Sequence, residues 1–233
     1  MRRAAALLTA FTLFSLALTG APALAASWRW CSSSAEGTWH TGKFLVQNDA
    51  WNGGHGPQRI CADSYHDVQV TSNQPTGNTA IETYPDVGAM YTGTDTPVAG
   101  LKDVSNTYTE SFPADVIGEA ADDIWLNNWK LEIMIWVDVH HENPSYLPTI
   151  GHATLGGQHF TVYSNAPEYI FELNHPHQTT GTTHILGAIR WMIAHGYAPA
   201  SSGITEAQFG WEIASTNGPQ KFNLTAYAFH VIK

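Results

Sequence analysis

The sequence is poor in cysteine and in charged residues. Only two cysteines occur in 233 residues, and no CxxC or HExxH spacing is present, which disfavours a zinc site built on such motifs. Charged residues make up 13% of the chain, and 10 basic against 20 acidic residues give a formal net charge of −10. Because an acidic surface repels phosphate backbones, we expect no nucleic acid partner.

Long hydrophobic segments are also absent after the N-terminus. Residues 1–25 contain two arginines, then an uncharged run rich in leucine, alanine and phenylalanine, and then small residues. This pattern predicts a signal peptide cleaved after Ala25, because the apolar run is too short for a membrane anchor to be the better interpretation. We therefore expect residues 26–233 to form a secreted protein that is not held in a membrane. In an oxidising compartment its two cysteines are expected to form a disulfide.

Short apolar or aromatic runs alternate with turn-forming clusters over most of the remaining chain. The clusters WNGGHGP, NQPTGN and TGTDTP combine glycine, proline and asparagine. Regular short strands with such breaks are typical of an all-β sandwich or barrel, and the length fits one domain. Convincing helical spacing occurs only over about 183–195, with Gly196 as the expected C-cap. We expect this helix to pack on the outside of a sheet.

The segment KLEIMIWVD, Lys130 to Asp138, shows the alternation of a strand. Successive side chains leave a strand on opposite faces, so every second residue shares a face. The even-numbered residues put Glu132 on one face beside a methionine and an indole, and Lys130 and Asp138 are predicted to share that face. A single glutamate of this kind is ordinarily a solvated side chain. The apolar residues predicted to face the core are Leu131, Ile133, Ile135 and Val137.

The same arrangement recurs in two further predicted strands. In QFGWEIAST, Glu212 lies opposite the core-facing aromatic residues, and Gly210 and Ala214 beside it are expected to leave room for a ligand. In ADDIWLNN, Asp123 faces the same cleft if the neighbouring isoleucine and leucine face the core. Paired carboxylates across an aromatic groove suit glycosidic bond cleavage, because one protonates the leaving oxygen while the other stabilises or attacks the anomeric carbon.

At these positions the sequence resembles glycoside hydrolase family 12, a family of secreted endo-β-glucanases. LEIMIW is similar to the family's nucleophile strand and GWEI to its acid/base strand, while VQNDAW, TYP, DIWL and GGQHFTVYS occur in the family's order. The resemblance covers nearly all of residues 26–233. It implies a two-sheet β-jelly-roll sandwich with one packed helix, about 183–195. It also implies a retaining, endo-acting β-1,4-glucanase that uses no cofactor.

The resemblance assigns roles to individual residues. Glu132 becomes the nucleophile, Glu212 the general acid/base, and Asp123 a supporting carboxyl group that shares a proton or hydrogen bond with the nucleophile. Cys31 and Cys61 match the family's N-terminal disulfide. The residues implied to line the glucan cleft are Asn48, Trp51, Tyr91, Met134 and Trp136.

Twelve histidines raise the question of a metal site. His140, His141 and Glu142 are adjacent in sequence, and adjacent side chains of an extended segment point apart, so they form a poor chelate. His175 and His177, in the motif HPH, fit a surface loop better. No metal ion is therefore expected.

Two functions fit the aromatic, charge-poor strands. The first is the glucanase, a monomer acting on a β-glucan that could be cellulose, xyloglucan or mixed-linkage glucan. The alternative is a carbohydrate-binding module or lectin of the same architecture. A binding protein needs the aromatic residues but not two opposed glutamates, so Glu132 and Glu212 favour the enzyme. Trp211 and Ile213, which flank Glu212, depart from the residues common in the family.

Overall fold

A computed structural model describes residues 27–90 and 94–233. The predicted signal peptide, residues 1–25, and the predicted cleft residue Tyr91 lie outside the described residues. Within these residues strands predominate, with one α-helix and one 3₁₀ turn (Pro144–Tyr146). In chain order the elements are β1 (Trp30–Ser32), β2 (Thr38–Thr41), β3 (Phe44–Gln47), β4 (Gln58–Ser64), β5 (Asp67–Ser72), β6 (Asp86–Ala89), β7 (Thr96–Pro97), β8 (Asp103–Ser111), β9 (Val116–Leu126), β10 (Leu131–His140), β11 (Thr149–Leu155), β12 (Gln158–Asn165), β13 (Glu168–Leu173), β14 (Thr180–Thr183), α1 (Ile185–Ala194), β15 (Gly203–Thr216) and β16 (Gln220–Ile232).

The strands form two sheets. Sheet A has the order β1-β4-β5-β16-β8-β14, and sheet B has the order β11-β12-β13-β10-β9-β15-β6-β3-β2, with β7 paired to β15. Most neighbours are antiparallel, and β10 pairs with β13 in parallel. The prediction of an all-β, two-sheet jelly-roll sandwich with one helix is confirmed. The longest strands of sheet B, β9, β10 and β15, lie side by side at its centre.

The main core lies between the sheets, and strand alternation supplies its residues. On β10 the four predicted core residues all belong to this core, and on β15 the aromatic residues Phe209 and Trp211 and the nearby Ile213 do so too. They meet apolar residues of sheet A such as Val70 and Phe222. Burying large apolar side chains contributes about 1.5–3 kcal/mol each before entropic costs. Core packing therefore fixes which side chains leave the opposite face of sheet B.

The helix α1 spans Ile185–Ala194, close to its predicted bounds. Two backbone hydrogen bonds close its C-terminal end, one from the Gly196 amide to the Ile193 carbonyl and one from the Tyr197 amide to the Met192 carbonyl. Gly196 adopts φ +78°, which glycine tolerates at little cost. The helix was expected to pack on the outside of one sheet. Instead, α1 contacts both sheets, namely β8 of sheet A and β10 and β11 of sheet B. Its buried residues belong to the main core, so the helix covers the side of the sandwich between the two sheets.

The strand β10 contains a bulge that alters one predicted face. Trp136 pairs with Ala121, but Asp138 pairs with Ala120, so the register shifts by one residue between them. Ala120 belongs to the main core, and Asp138 is 1% exposed. The prediction that Asp138 shares the face of Glu132 is therefore wrong, because the extra residue of the bulge reverses the alternation.

Two further expectations concern the N-terminal region and membranes. Cys31 and Cys61 are bonded and are direct partners in the pairing of β1 with β4, which confirms the predicted disulfide. Within residues 27–90 and 94–233, no helix has the length and apolar character needed to cross a bilayer.

Candidate active site

The face of sheet B turned away from the main core carries most of the predicted site residues. On this face the register places Trp125 opposite Glu132, and Glu119 opposite Glu212. Asp123 lies between Met134 on one side and Gln208 on the other. The three central strands therefore bring carboxyl groups from separate parts of the sequence to one surface.

Two adjoining cavities lie along this surface. The first, of about 390 Å³, is lined by Asp49, Trp51, Tyr84, Asp123, Trp125, Trp129, Glu132, Gln208 and Glu212. The second, of about 510 Å³, is lined by Trp51, Thr79, Ala80, Ile81, Glu132, Met134, Trp136, Glu142, Tyr146, Glu168 and Glu212. Trp51, Glu132 and Glu212 line both cavities, so they mark the junction. No lysine, arginine or histidine is among these described lining residues.

Glu132 and Asp123 form the first group of carboxyl groups at the junction. Burial raises the pKa of Glu132 to about 7, and the charges of Glu168 and Glu212 raise it as well. Asp123 is more buried, and burial followed by the charge of Glu132 raises its pKa further, well above the usual range. The indole N–H of Trp125 donates to Asp123 Oδ2 at 2.9 Å and opposes that rise. A proton held in this group therefore resides preferentially on Asp123.

The expected link between Asp123 and Glu132 is electrostatic in this structure. Asp123 Oδ1 has no hydrogen-bond partner among the described residues, and Oδ2 is bonded to Trp125. The register explains this arrangement, because Glu132 lies opposite Trp125 and Asp123 lies two residues further along β9. The carboxyl groups are diagonal neighbours rather than a directly facing pair.

Glu212 and Glu119 form the second group, and here the two carboxyl groups are in direct contact. Glu119 is fully buried, and no N–H or hydroxyl donor of the described residues reaches its oxygens. Burial raises the pKa of Glu119 well above its usual range, and the charge of Glu212 raises it further. Burial also raises the pKa of Glu212, whereas the hydrogen bond from Glu119 lowers it. Glu119 therefore holds a proton and donates it in a hydrogen bond to Glu212.

The sequence reasoning did not include Glu119. The sequence does indicate that Glu119 shares a face with Asp123, because residues 119, 121 and 123 are alternate residues of one strand. What the pattern could not supply was the register of β9 against β15, which puts Glu119 opposite Glu212. Glu168 and Glu142 were missed for the same reason, because they reach the second cavity from β13 and from the loop after β10.

The backbone around Glu212 is held on both sides. Gly118 of β9 approaches so closely that a Cβ there would lie 2.1 Å from the Glu212 carbonyl oxygen. On the other side, the amide of Ile213 donates to the Thr83 carbonyl, and the amide of Trp211 donates to the Pro85 carbonyl. The motif TYP therefore extends the pairing of β15 beyond β6 and fixes the position of Glu212.

Gly210 was expected to leave room for a ligand, but the structure shows that it allows two backbone segments to approach each other. A Cβ at Gly210 would lie 2.3 Å from the carbonyl oxygen of Pro85. The glycine is therefore required for the approach of β15 to the segment that precedes β6, and not primarily to leave room for a ligand. Ala214, which shares its face, is fully buried.

Exposed aromatic side chains border the first cavity. Trp51 and Trp129 are 59% and 48% exposed, and the rings of Trp125 and Trp129 lie 5.5 Å apart. Trp129 follows Asn127 and Asn128 in the turn between β9 and β10, and all three have φ near +60°. Asparagine tolerates this left-handed conformation, but it is unfavourable for tryptophan. The turn is nevertheless braced, since the Asn128 amide donates to both Asp95 Oδ1 and Thr205 Oγ1.

The remaining predicted cleft residues lie in different places. Met134 and Trp136 are almost fully buried and belong to a small apolar cluster on the cleft face, so they form the floor of the second cavity. The indole nitrogen of Trp136 has no hydrogen-bond partner among the described residues. Asn48 does not line either cleft cavity. It is 1% exposed, its side-chain amide donates to the Ser34 carbonyl at 2.8 Å, and it borders a separate cavity with Gln58.

Comparison with known proteins identifies the fold. No family model and no curated protein sequence matches the chain. Among solved structures, the native family 12 xyloglucanase from Bacillus licheniformis is 18% identical over 87% of this chain and 100% of its own, with TM-score 0.76. The xyloglucanase domain of NopAA, a type three effector from Sinorhizobium fredii solved with cellobiose, is 22% identical over 88% and 100% of the chains, with TM-score 0.74.

A third similar structure is endoglucanase 3 of Trichoderma harzianum, from the same family. It is 18% identical over 87% of this chain and 97% of its own, with TM-score 0.75. The resemblance inferred from the sequence is thereby confirmed at the level of the fold. The chain has the β-jelly-roll fold of family 12 glycoside hydrolases.

Proposed function

We propose that the protein is a secreted, retaining endo-β-1,4-glucanase. The observation that carries this proposal is the position of Glu132 and Glu212, whose side chains both line the junction of the two cavities. A sugar polymer lying along the cavities would have glucosyl units on both sides of the two carboxyl groups. Cleavage at that point falls inside the polymer rather than at its end.

The proposed reaction has two steps. Glu212, protonated at the start, donates its proton to the glycosidic oxygen as the bond to the leaving sugar breaks, and Glu132 attacks the anomeric carbon. In the second step Glu212 takes a proton from water, which attacks the same carbon and releases Glu132. Two inversions give net retention of configuration. The raised pKa of Glu212 favours its protonated starting state.

Glu132 needs to be ionised to attack, yet no cation lines its cavities in the described part of the chain. We propose that Asp123 keeps Glu132 ionised. Of these two carboxyl groups Asp123 is the more buried, so a proton shared between them is held by Asp123. Glu132 is then the member that loses its proton at lower pH. Asp123 supports the nucleophile in this way without contacting the anomeric carbon.

The surroundings of the carboxyl groups suit an uncharged sugar polymer. Aromatic faces stack on the apolar faces of glucosyl rings, and Trp51, Trp125 and Trp129 border the first cavity. Many carboxyl groups and no lysine or arginine line the cleft in the described residues, so an anionic polysaccharide would be repelled. A β-glucan is neutral and carries hydroxyl groups that can donate to carboxylates. We propose that the protein binds it as a monomer.

The direct test is hydrolysis of cellulose, xyloglucan and mixed-linkage β-glucan by the exported protein. We expect new reducing ends from at least one polymer, and an early fall in viscosity, which marks internal cleavage. The double variant Glu132→Gln/Glu212→Gln is the control for contaminating activity. Retained polysaccharide binding without hydrolysis would instead favour the carbohydrate-binding module or lectin. Absence of both binding and hydrolysis would contradict either function.

Export is tested separately from catalysis. N-terminal sequencing of protein recovered outside the cell is expected to begin at Ala26, one residue after the predicted cleavage point. Recovery of an uncleaved chain in the membrane fraction would contradict the signal peptide. Size-exclusion chromatography with light scattering tests the monomer.

A further inference from the structure

Three side chains with metal-binding atoms meet at the end of β10, on the side of sheet B opposite the cleft. His140 Nε2 lies 3.0 Å from Asp138 Oδ1, and His177 Nδ1 lies 3.3 Å from the same oxygen. No two of these three donor atoms are more than 4.8 Å apart. The group therefore offers two imidazole nitrogens and one carboxylate oxygen around a common point.

The backbone brings these residues together before any ligand is bound. The bulge in β10 turns Asp138 to the inner side, and His140, two residues on, leaves the strand on that same side. The loop after β13 is fastened to β10, since the Val139 amide donates to the Pro176 carbonyl and the Gln178 amide donates to the Val137 carbonyl. Asp138 and His177 also form a backbone bridge. The backbone of the three residues is therefore already in place, so binding of an ion would require little further loss of conformational entropy.

The donor set and its spacing match a zinc-type ion. Zn²⁺ takes imidazole nitrogen and carboxylate oxygen at about 2.0–2.2 Å in tetrahedral geometry, so two such donors lie roughly 3.3 Å apart. Both distances to Asp138 are close to that value, and they are also those of imidazole–carboxylate hydrogen bonds, which a bound ion would replace. The His177 side chain is 72% exposed, so it can rotate and leaves one side of the group open to solvent. The His140 ring is held by stacking on Phe112, with centroids 4.6 Å apart.

The local charge also favours a cation. Asp138 is 1% exposed, and Glu110 of sheet A, 5% exposed, packs beside it. Glu110 Oε2 accepts from the Trp211 indole at 3.0 Å, and the Glu110 carboxyl group also shares a hydrogen bond with that of Asp138. Neither carboxyl is paired with a lysine or arginine in the described part of the chain. A buried carboxylate at Asp138 without a lysine or arginine beside it is costly, and a bound divalent ion would compensate its charge.

We propose that Asp138, His140 and His177 bind one divalent transition-metal ion of the zinc type, with water completing the coordination. The ion fastens the loop after β13 to the end of β10 and stabilises this end of the sandwich. It has no place in the cleft chemistry, because Glu132 and Glu212 lie on the other face of sheet B. The sequence argument against a metal considered His140 with its chain neighbours and His177 with His175 as separate groups, whereas the proposed site combines His140 and Asp138 of β10 with His177 of a distant loop.

The test uses the mature protein without an affinity tag, first treated with a chelator. Equilibrium dialysis against Zn²⁺ at neutral pH, followed by elemental analysis, is expected to give one tightly held ion per chain. His177→Ala and His140→Ala are expected to lose it. His175→Ala and His141→Ala remove exposed neighbouring histidines and are expected to retain it. Equal zinc content in the wild type and the His140→Ala/His177→Ala variant, or loss of zinc only in the neighbouring variants, would overturn the proposal.

Folding and binding are separated by a thermal measurement. His177 is mostly exposed, so without metal His177→Ala is expected to have the circular dichroism and melting temperature of the wild type. Added Zn²⁺ is expected to raise the melting temperature of the wild type and leave that of His177→Ala unchanged. Bound Co²⁺ is expected to give the visible absorption of a tetrahedral site in the wild type alone. A zinc-independent melting temperature in the wild type would contradict a stabilising ion.

Discussion

The two glutamates at the cleft junction each have a second carboxyl group nearby, but the two arrangements differ. Glu212 faces Glu119 directly across β15 and β9, and the two share a hydrogen bond. Glu132 and Asp123 are diagonal neighbours, and Asp123 is bonded to Trp125 instead. A hydrogen bond therefore lowers the pKa of Glu212, the proposed acid/base, whereas neighbouring charges raise the pKa of Glu132, the proposed nucleophile. This difference predicts that separate residues control the two limbs of the pH profile.

The largest expected effect comes from removing either glutamate at the junction. Glu132→Gln and Glu212→Gln keep the shape of the side chain but remove the proposed nucleophile or the proton that Glu212 is proposed to transfer. We expect hydrolysis of the best β-glucan to fall by about 10²–10⁴-fold for Glu212→Gln and by at least as much for Glu132→Gln. Initial rates of reducing-end release measure this. Glu172→Gln, on the neighbouring strand β13, is the matched control and is expected to retain activity. Wild-type rates in both junction variants would remove these residues from the mechanism.

A smaller effect is expected from displacing Glu212 without changing it. In Gly118→Ala, the new Cβ would lie 2.1 Å from the Glu212 carbonyl oxygen, so β15 has to shift. Because a displacement of about 1 Å can cost on the order of 10²-fold in rate, we expect kcat to fall substantially in a folded variant. Gly53→Ala, which has open space around it, is the control. Unchanged kcat in Gly118→Ala would show that the position of Glu212 is not set by this approach.

How far the sequence predicts this region depends on how regular each strand is. The alternation in β10 places Glu132 and the four core residues correctly as far as Val137, and the same reasoning places Glu212 on β15. It fails at Asp138, because a bulge of one residue is not visible in an apolar pattern. It also misses Glu119, since strand register is decided by contacts between distant parts of the chain.

The acid limb of the pH profile is expected to respond to Glu168. As the proposed nucleophile, Glu132 must be ionised to attack, so activity is expected to fall as pH drops through its pKa, which the charge of Glu168 raises. Neutralising that charge in Glu168→Gln lowers the pKa of Glu132 and moves the acid limb of kcat/KM to lower pH. Glu172→Gln on the same strand is expected to leave the limb in place. A shift of the acid limb to higher pH would contradict the proposed role of Glu168.

The basic limb is expected to respond to Glu119, with the smallest effect on rate. As the proposed general acid, Glu212 must start protonated, so activity is expected to fall as pH rises through its pKa, and the hydrogen bond from Glu119 lowers that pKa. Removing the donor in Glu119→Leu raises the pKa of Glu212 and moves the basic limb to higher pH. Glu119→Gln retains an N–H donor and is expected to stay near the wild-type profile. Equal shifts in both variants would show that the hydrogen bond is not responsible.

Azide rescue of the two alanine variants, with the configuration of the product determined by NMR, tests the division of roles most directly. In Glu132→Ala, azide is expected to enter the vacated space and attack an activated aryl β-glycoside directly, which gives an α-glycosyl azide of inverted configuration. In Glu212→Ala, Glu132 still forms the glycosyl-enzyme when the leaving group needs no protonation, so azide is expected to give a β-glycosyl azide with retained configuration. The opposite pair of configurations would reverse the assignment of nucleophile and acid/base. Absence of rescue in both variants, together with undiminished hydrolysis of β-glucan, would contradict the central claim that Glu132 and Glu212 are the catalytic pair.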